Sequence, residues 1–324
     1  MSFWKNKKVL VTGAHGFVGR NLTKLLEEMK RENDFRILAP LRNELDLTKE
    51  EQVAAYFQEH KPQVVLHLAG KVGGILANKT QPADFFYQNI MMGTLVMHHS
   101  YLNGAEKVVA LAAGCGYPKM LPVPYTEEDF WRDLPDENSI GYSMAKKNLI
   151  IQSWTYREQY GFNSVVLLPA NLYGPYDNFD LETSHVVPAL IRKFLEAKER
   201  GDKEVVVWGT GIASREFLYS VDTAQAIIDM AEKVNETGPF NLGTGTETTI
   251  KELIETIKEF TGFEGNIIWD TSKPDGQPRR FYDMSKFKEA VGYVPGTNIK
   301  AGIQSTIDWY LKNKGQENNE NRNS

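Results

Sequence analysis

Runs of apolar residues alternate with longer segments of helical periodicity through the first half of the chain. The apolar runs lie at residues 8–12, 35–39, 64–69 and 107–112, and the helical segments cover 20–30, 82–103 and 142–160. Continuous apolar runs are typical of parallel strands that helices cover on both faces. The alternation therefore predicts an α/β fold with a Rossmann-type, doubly wound parallel sheet.

The pattern changes after residue 169. Short apolar runs and two helical segments, 187–200 and 250–261, are mixed there with loops rich in Gly, Pro, Asn and Asp. We expect a dinucleotide-binding domain over 1–170 and a smaller α/β, substrate-binding domain over 171–315 that returns to the main sheet. Residues 316–324 are almost wholly polar, and a segment of that composition is expected to be disordered.

Composition narrows the possible partners. The chain has 324 residues, of which 41% are apolar, and a net charge of -5, which argues against a nucleic-acid partner. The start lacks the apolar stretch of a signal peptide, and no apolar run approaches the length of a membrane span. The single cysteine, Cys115, excludes an intrachain disulfide and fits a reducing compartment. We therefore expect a cytoplasmic protein without a membrane partner, and the sequence gives no reason to expect a metal.

A glycine-rich turn follows the first apolar run. It reads Gly13-Ala14-His15-Gly16-Phe17-Val18-Gly19 and leads directly into a helical pattern. Glycines in this position allow a tight turn and let the backbone approach a pyrophosphate, which the helix N-terminus then faces. The turn predicts a dinucleotide site with contacts from Gly13, His15, Gly16, Phe17, Val18 and Gly19.

The end of the second apolar run bears on the choice of cofactor. NAD-preferring folds often place an acidic residue there, but this chain continues Pro40-Leu41-Arg42. Arg42, assisted by His15, is placed to meet a 2′-phosphate, which favours NADP over NAD; the alternative is a solvated surface arginine. Asp46 and Leu47 are expected beside the adenine, and the end of the third strand brings Ala69 and Lys71 near the cofactor.

Tyr142 and Lys146 lie four residues apart in a predicted helix, and so one turn apart on the same face. An ammonium group beside a phenol favours the phenolate, so the spacing predicts a lowered pKa for Tyr142 and a role in proton transfer. The alternative is an ordinary exposed pair on a helix surface.

Strand, glycine-bearing loop and Y-x-x-x-K helix resemble the extended short-chain dehydrogenase/reductases. Further strings resemble the GDP-L-fucose synthase family over about residues 7 to 312. They are Lys71-Val72-Gly73-Gly74-Ile75, Pro82-Ala83-Asp84-Phe85, Cys115-Gly116-Tyr117-Pro118-Lys119, Asn171-Leu172-Tyr173-Gly174-Pro175, Ser184-His185-Val186-Val187-Pro188-Ala189-Leu190, Val207-Trp208-Gly209, Arg215-Glu216-Phe217 and Lys273-Pro274-Asp275-Gly276.

The resemblance implies an NADPH-dependent enzyme that epimerises C3 and C5 of GDP-4-keto-6-deoxy-D-mannose and then reduces C4. It assigns proton transfer at C3 and C5 to Cys115 and His185. Tyr142 would donate the proton to O4, while Lys146 tunes Tyr142 and, with His185, also contacts the cofactor. The residues expected to bind the sugar nucleotide are Asn171, Arg192, Trp208, Arg215 and Arg279, with Arg280 beside the last. The family also implies a homodimer through the helices at 82–103 and 142–160.

One position departs from the family. Where the family carries Ser or Thr four residues before the tyrosine of its C-x-Y-P-K string, this chain has Ala113, followed by Gly114. Either a water or another hydroxyl, such as that of Ser143, replaces the lost donor, or the chemistry differs. The alternatives are therefore a sugar-nucleotide epimerase with tightly held NAD(P) and no net reduction, another 4-keto sugar as substrate, and a dinucleotide-binding sensor without catalysis.

Overall fold

A computed structural model describes residues 2–181, 183–273 and 275–314. The predicted disordered tail at 316–324 lies outside the described residues. Six parallel strands form the main sheet in the order β10-β5-β4-β3-β1-β2. Their bounds are β1 Lys8–Thr12, β2 Arg36–Leu38, β3 Val64–His67, β4 Lys107–Leu111, β5 Ser164–Pro169 and β10 Phe240–Leu242. The predicted Rossmann-type sheet is confirmed, because the apolar runs form strands that are buried on both faces.

Helices connect and cover these strands. They are α1 Phe17–Lys30, α2 Glu50–His60, α3 Ile75–Thr80, α4 Pro82–Leu102, α5 Ile140–Tyr160, α6 Val186–Arg200, α7 Ser220–Lys233, α8 Ile250–Thr261, α9 Ser285–Val291 and α10 Ile299–Asn313. Helix α4 packs along α5 on one side of the main sheet. A second pair is formed by α1 and α7, which pack against each other. The main core therefore includes α7 and α9, which come from the second half of the chain.

A second apolar core holds the remaining elements together. It combines side chains of α6, α8 and α10 with those of short strands. The short strands of this half of the chain are β6 Asn171–Tyr173, β7 Glu204–Trp208, β8 Ser214–Arg215, β9 Phe217–Tyr219, β11 Thr248–Thr249 and β12 Asn266–Asp270. They pair as β6 with β9, β7 with β12 and β8 with β11. This second lobe lies against the carboxyl end of the main sheet, because β6 follows directly on β5.

Among the described residues, no helix is both long enough and apolar enough to cross a membrane.

Candidate active site

The glycine turn packs tightly between β1, α1 and the end of β3. Gly13 has a φ of +75°, and a Cβ added to it would lie 2.8 Å from the backbone nitrogen of Ala69. A Cβ on Gly19 would lie 2.0 Å from the carbonyl oxygen of Gly13. Gly16 caps α1, whose first turn carries no acidic residue. The turn therefore presents bare backbone and a helix N-terminus, which is the arrangement that binds a pyrophosphate.

The segment after β2 approaches the same turn. A ring nitrogen of His15, Nε2, lies 3.0 Å from the carbonyl oxygen of Ala39, and Arg42 is exposed on the following loop. The Asp46 carboxylate accepts hydrogen bonds from the backbone and hydroxyl of Thr48, at 3.0 and 2.7 Å, and these bonds lower its pKa. Leu47 is buried in the core. Arg42 is thus accessible to a ligand. In contrast, the Asp46 carboxylate stabilises the turn at Thr48, and Leu47 packs in the core.

A buried asparagine fixes the segment after β3. The side chain of Asn89 on α4 accepts a hydrogen bond from the backbone nitrogen of Lys71 at 3.1 Å and donates one to the Lys71 carbonyl at 3.0 Å. A Cβ on Gly70 would lie 3.0 Å from Asn89 Oδ1 and 3.2 Å from Lys146 Nζ. Asn89 therefore holds the predicted cofactor segment close to Lys146, a role that sequence spacing did not indicate because α4 and α5 meet only in the fold.

Tyr142 and Lys146 occupy one face of α5, as the spacing predicted, with Lys146 Nζ 6.0 Å from the centre of the Tyr142 ring. The predicted direction of the Tyr142 pKa is wrong for this structure: burial, and secondarily the charge of Cys115, raise it. Lys146 donates instead to the carbonyl of Leu111 at 3.1 Å, and burial lowers its own pKa to about 8. For the Tyr142 phenol, the effect of burial therefore outweighs that of the nearby ammonium group.

Cys115 lies in a 3-10 turn, Gly114–Gly116, that follows β4 and packs on α5. The buried Ser143 hydroxyl lies 3.2 Å from Cys115 Sγ and donates to the Cys115 carbonyl at 3.1 Å. Burial raises the pKa of the thiol, while the Ser143 hydrogen bond and the charges of Arg280 and Lys146 oppose that rise. Ser143 is therefore engaged with Cys115, and the structure brings Cys115, Tyr142 and Lys146 into one site.

His185 comes from the second lobe, where it precedes α6 as its capping residue. Its side chain is exposed, and desolvation by the surrounding protein lowers its pKa. Within the described part of the chain, no hydrogen bond joins His185 to Cys115 or Tyr142.

The residues expected to bind the sugar nucleotide fall into two groups. Asn171 is exposed at the start of β6, Arg215 is partly buried and donates to two backbone carbonyls, and Trp208 is 70% exposed with Lys273 over its ring. In contrast, Arg192 pairs with Glu196 at 2.6 Å and Arg279 pairs with Glu247. The first three are open to a ligand, while the last two already hold carboxylates.

The segment 280–282 reaches the site more closely than the sequence indicated. A Cβ placed on Gly114 would meet the hydroxyl of Tyr282 and the guanidinium of Arg280. Tyr282 was missed because a single aromatic residue in a polar segment has no periodicity, and because its contact with Gly114 spans more than half of the chain.

Comparisons with known proteins agree with this geometry. A family model described as the NAD dependent epimerase/dehydratase family matches residues 9–243. GDP-L-fucose synthase 1 of Arabidopsis thaliana is 42% identical over 309 residues, which cover 95% of this chain and 94% of that protein. Among solved structures, a GDP-6-OMe-4-keto-L-xylo-heptose reductase from C. jejuni has a TM-score of 0.87 and 31% identity, covering 96% of this chain and 99% of the other. A GDP-L-fucose synthetase from Naegleria fowleri bound to NADP has a TM-score of 0.89 and 28% identity, with 98% and 96% covered.

Proposed function

The chain belongs to the NAD dependent epimerase/dehydratase family, and from that membership we propose an epimerase/reductase of GDP-linked 4-keto sugars. Its substrate resembles GDP-4-keto-6-deoxy-mannose, and its product is of the GDP-L-fucose type. The observation that carries the proposal is the meeting of Cys115, Tyr142 and Lys146 at the carboxyl end of the sheet, next to the glycine turn. The whole-length similarity to GDP-L-fucose synthases supports the same substrate class.

The residues around the glycine turn fit a nicotinamide dinucleotide. Side chains are excluded at Gly13 and Gly19, so the backbone at the start of α1 is accessible to phosphates. Arg42 would hold a 2′-phosphate, which supports NADP, and Lys146 would hold the nicotinamide ribose. When bound, NADPH supplies the hydride that C4 receives.

The protein's own groups account for the proton transfers. The 4-keto group acidifies the C–H bonds at C3 and C5, and Cys115 removes a proton there while His185, from the opposite lobe, supplies one to the other face. Tyr142 then donates its proton to O4 during reduction. Its raised pKa keeps that proton in place at neutral pH. Arg215 and Trp208, both open to a ligand, are suited to the diphosphate and the base.

Isotope exchange separates the two steps. In deuterated water, Tyr142→Phe should still place deuterium at the carbons beside the ketone but make little reduced product. Cys115→Ser should lose the exchange while direct C4 reduction continues. Exchange is read by NMR and reduction by NADPH oxidation, with Tyr56→Phe on α2 as the matched control. Absence of both exchange and hydride transfer with every 4-keto sugar nucleotide would refute the proposal.

Ala113 favours a second candidate, an epimerase without net reduction. The loss of one donor to an oxyanion typically costs about 10²–10³ in rate. Such an epimerase would exchange protons with the solvent at the carbons beside the ketone and would consume no NADPH. Its product would be an epimer of the substrate in the same oxidation state. Product NMR after prolonged incubation distinguishes this candidate from the reductase.

The proposal includes a cytoplasmic location and a homodimer. A reducing compartment preserves the free thiol that Cys115 needs as a proton-transfer group. The helices α4 and α5 pack along each other and expose apolar side chains, including Phe86, Tyr87 and Ile151, which supports pairing with a second copy.

A further inference from the structure

The space beside Gly114 is filled by another residue's side chain. A Cβ added to Gly114 would lie 1.8 Å from Tyr282 Oη, 2.9 Å from Arg280 Nη2 and 2.9 Å from the Pro169 carbonyl oxygen. Gly114 directly precedes Cys115 and follows Ala113, the position that lacks the family hydroxyl. The polar atoms next to the cysteine turn are thus provided by residues distant in sequence.

Tyr282 is held rigidly in this position. Its side chain is 2% exposed, and its ring packs against that of Tyr117 with 5.4 Å between the ring centres. Its backbone nitrogen donates to the buried Glu216 carboxylate at 2.9 Å. The Tyr282 hydroxyl is therefore a fixed point beside Gly114, and it interacts with the Arg280 guanidinium through a hydrogen bond.

Arg280 differs from the arginine that precedes it. Arg279 forms an ion pair with Glu247, whereas no salt bridge links Arg280 to a carboxylate within 2–181, 183–273 and 275–314. Arg280 is partly buried, and a partly buried guanidinium is stabilised by a nearby anion. The groups that interact with Arg280 and become negative on deprotonation are the phenols of Tyr282 and Tyr125 and the thiol of Cys115, which directly follows Gly114.

We propose that Arg280, held in place by the Tyr282 hydroxyl, is the positive charge that stabilises the Cys115 thiolate against the effect of burial and so lets Cys115 act as a base. Arg280 and Tyr282 are positioning residues, and this inference rests on the proposed function. The groups that face Cys115 are Tyr142, Ser143 and Lys146 from α5, and Arg280 and Tyr282 from the opposite segment. The thiolate sulfur takes the proton from the carbon beside the ketone, and the electron pair of that C–H bond moves to the ketone oxygen. The resulting enolate then takes a proton on its opposite face, so no oxidant or reductant is needed.

Lys146 does not replace Arg280 in this role. Its Nζ is bound to the carbonyl of Leu111, and burial lowers the Lys146 pKa to about 8. Ser143 contributes a hydrogen bond to the sulfur but no charge. A guanidinium remains charged at every pH at which the enzyme folds, so Arg280 is the constant positive charge in this group.

The single cysteine allows a direct test without substrate. The rate of alkylation by iodoacetamide is measured against pH, and the midpoint of the profile reports deprotonation of Cys115. The plateau rate at high pH reports how accessible the thiol is, so accessibility and deprotonation are measured separately. Arg280→Met should move the midpoint upward by about one to two pH units, the scale of a lost opposite charge. Tyr282→Phe should move it in the same direction by less, and Arg280→Lys should stay near the wild type.

Matched controls distinguish this role from a structural one. As controls, Tyr293→Phe removes a hydroxyl that is bound to Asp229, and Arg132→Gln removes an exposed guanidinium that is paired with Asp129; both should leave the midpoint unchanged. Thermal melting confirms that each variant is folded, and Arg280→Lys and Tyr282→Phe keep the test decisive if Arg280→Met does not fold. An unchanged midpoint in the folded Arg280 and Tyr282 variants would overturn the inference, even if substrate binding were lost through a contact between Arg280 and a diphosphate. The alkylation rate is measured without substrate and does not depend on turnover. A failure of the proposed function is therefore distinguishable from a failure of the proposed role of Arg280 and Tyr282.

Discussion

At the scale of single residues, burial determines the protonation of the site more strongly than neighbouring charges do. It raises the pKa values of Tyr142 and Cys115 and lowers that of Lys146. The residue types and the spacing of Tyr142 and Lys146 were readable from the sequence. The direction of the Tyr142 pKa was not, because it depends on how deeply α5 and the Cys115 turn pack. The Gly114–Tyr282 contact was not predictable from the sequence for a related reason, since no local pattern connects the two positions.

The first prediction at this scale concerns pH. Lys146 is proposed to act in its charged form, and burial lowers its pKa to about 8, so C4 reduction should decline as the pH rises through that value. Tyr142 should cause no decline below this pH, because its own pKa is raised. Single-turnover rates of NADPH oxidation from pH 6 to 10 test this expectation. Lys146→Arg should retain activity at the alkaline end, and a wild-type decline that begins only near pH 10 would contradict the assignment.

The second prediction concerns cofactor choice. Arg42 is exposed on the loop after β2, where it would contact a 2′-phosphate. Arg42→Ala should weaken NADPH binding by about tenfold or more, the scale of one charge-assisted contact, and should spare NADH. Binding is measured by quenching of tryptophan fluorescence, with Arg36→Ala, also exposed, as the control. Equal losses for both cofactors would show that Arg42 does not recognise the 2′-phosphate.

At the scale of elements, α5 is the part of the fold around which the site is built. It carries Tyr142, Ser143 and Lys146, packs along α4 on one side and supports the Cys115 turn on another. The helix was predicted as 142–160 and begins at Ile140. Helices and strands were predictable because their apolar periodicities are local. Asn89, which joins α4 to the segment after β3, was recognised only from the fold.

The glycine turn gives a prediction about elements. A methyl group at Gly19 would meet the backbone oxygen of Gly13, which cannot rotate away as a side chain does. Gly19→Ala should therefore lower the free energy of unfolding by about 1–3 kcal/mol, a typical effect of overpacking, and should weaken dinucleotide binding. Chemical denaturation and cofactor titration measure the two effects. Gly296→Ala, where the added methyl has 3.6 Å to its nearest neighbour, is the control. Unchanged binding in a folded Gly19→Ala protein would show that the turn has room to adjust.

At the scale of the whole molecule, two apolar cores are joined by a chain that passes between them more than once. The cysteine turn and α5 belong to the lobe of the main sheet, while His185, Arg215 and Trp208 come from the other. Strand β5 ends at Pro169, next to the proposed division at residue 170, and β10 and α7 of the second half lie in the first lobe. The sequence analysis expected a return to the main sheet, but it did not identify the returning segments, because they are recognisable only once the strand order is known.

The prediction at this scale concerns oligomeric state. Ile151 on α5 and Tyr87 on α4 are 42% and 58% exposed, on helices that a second copy is proposed to cover. Ile151→Glu should place a charge in that interface and convert the dimer to a monomer. Light scattering with size-exclusion chromatography at micromolar concentration measures the mass. Leu311→Glu on α10, 50% exposed, should remain a dimer, and a monomeric wild type would refute the proposed pairing.

The position of β10 has a consequence for synthesis of the chain. Strand β5 ends at Pro169, but the strand that covers its outer edge begins only at Phe240. On the ribosome, the hydrogen-bonding edge of β5 therefore stays open while the intervening residues of the second lobe emerge. An unpaired, apolar strand edge is a template for aggregation. Nascent chains stalled between these two strands are the ones that most need a chaperone, and the Rossmann half alone is a poor fragment to express.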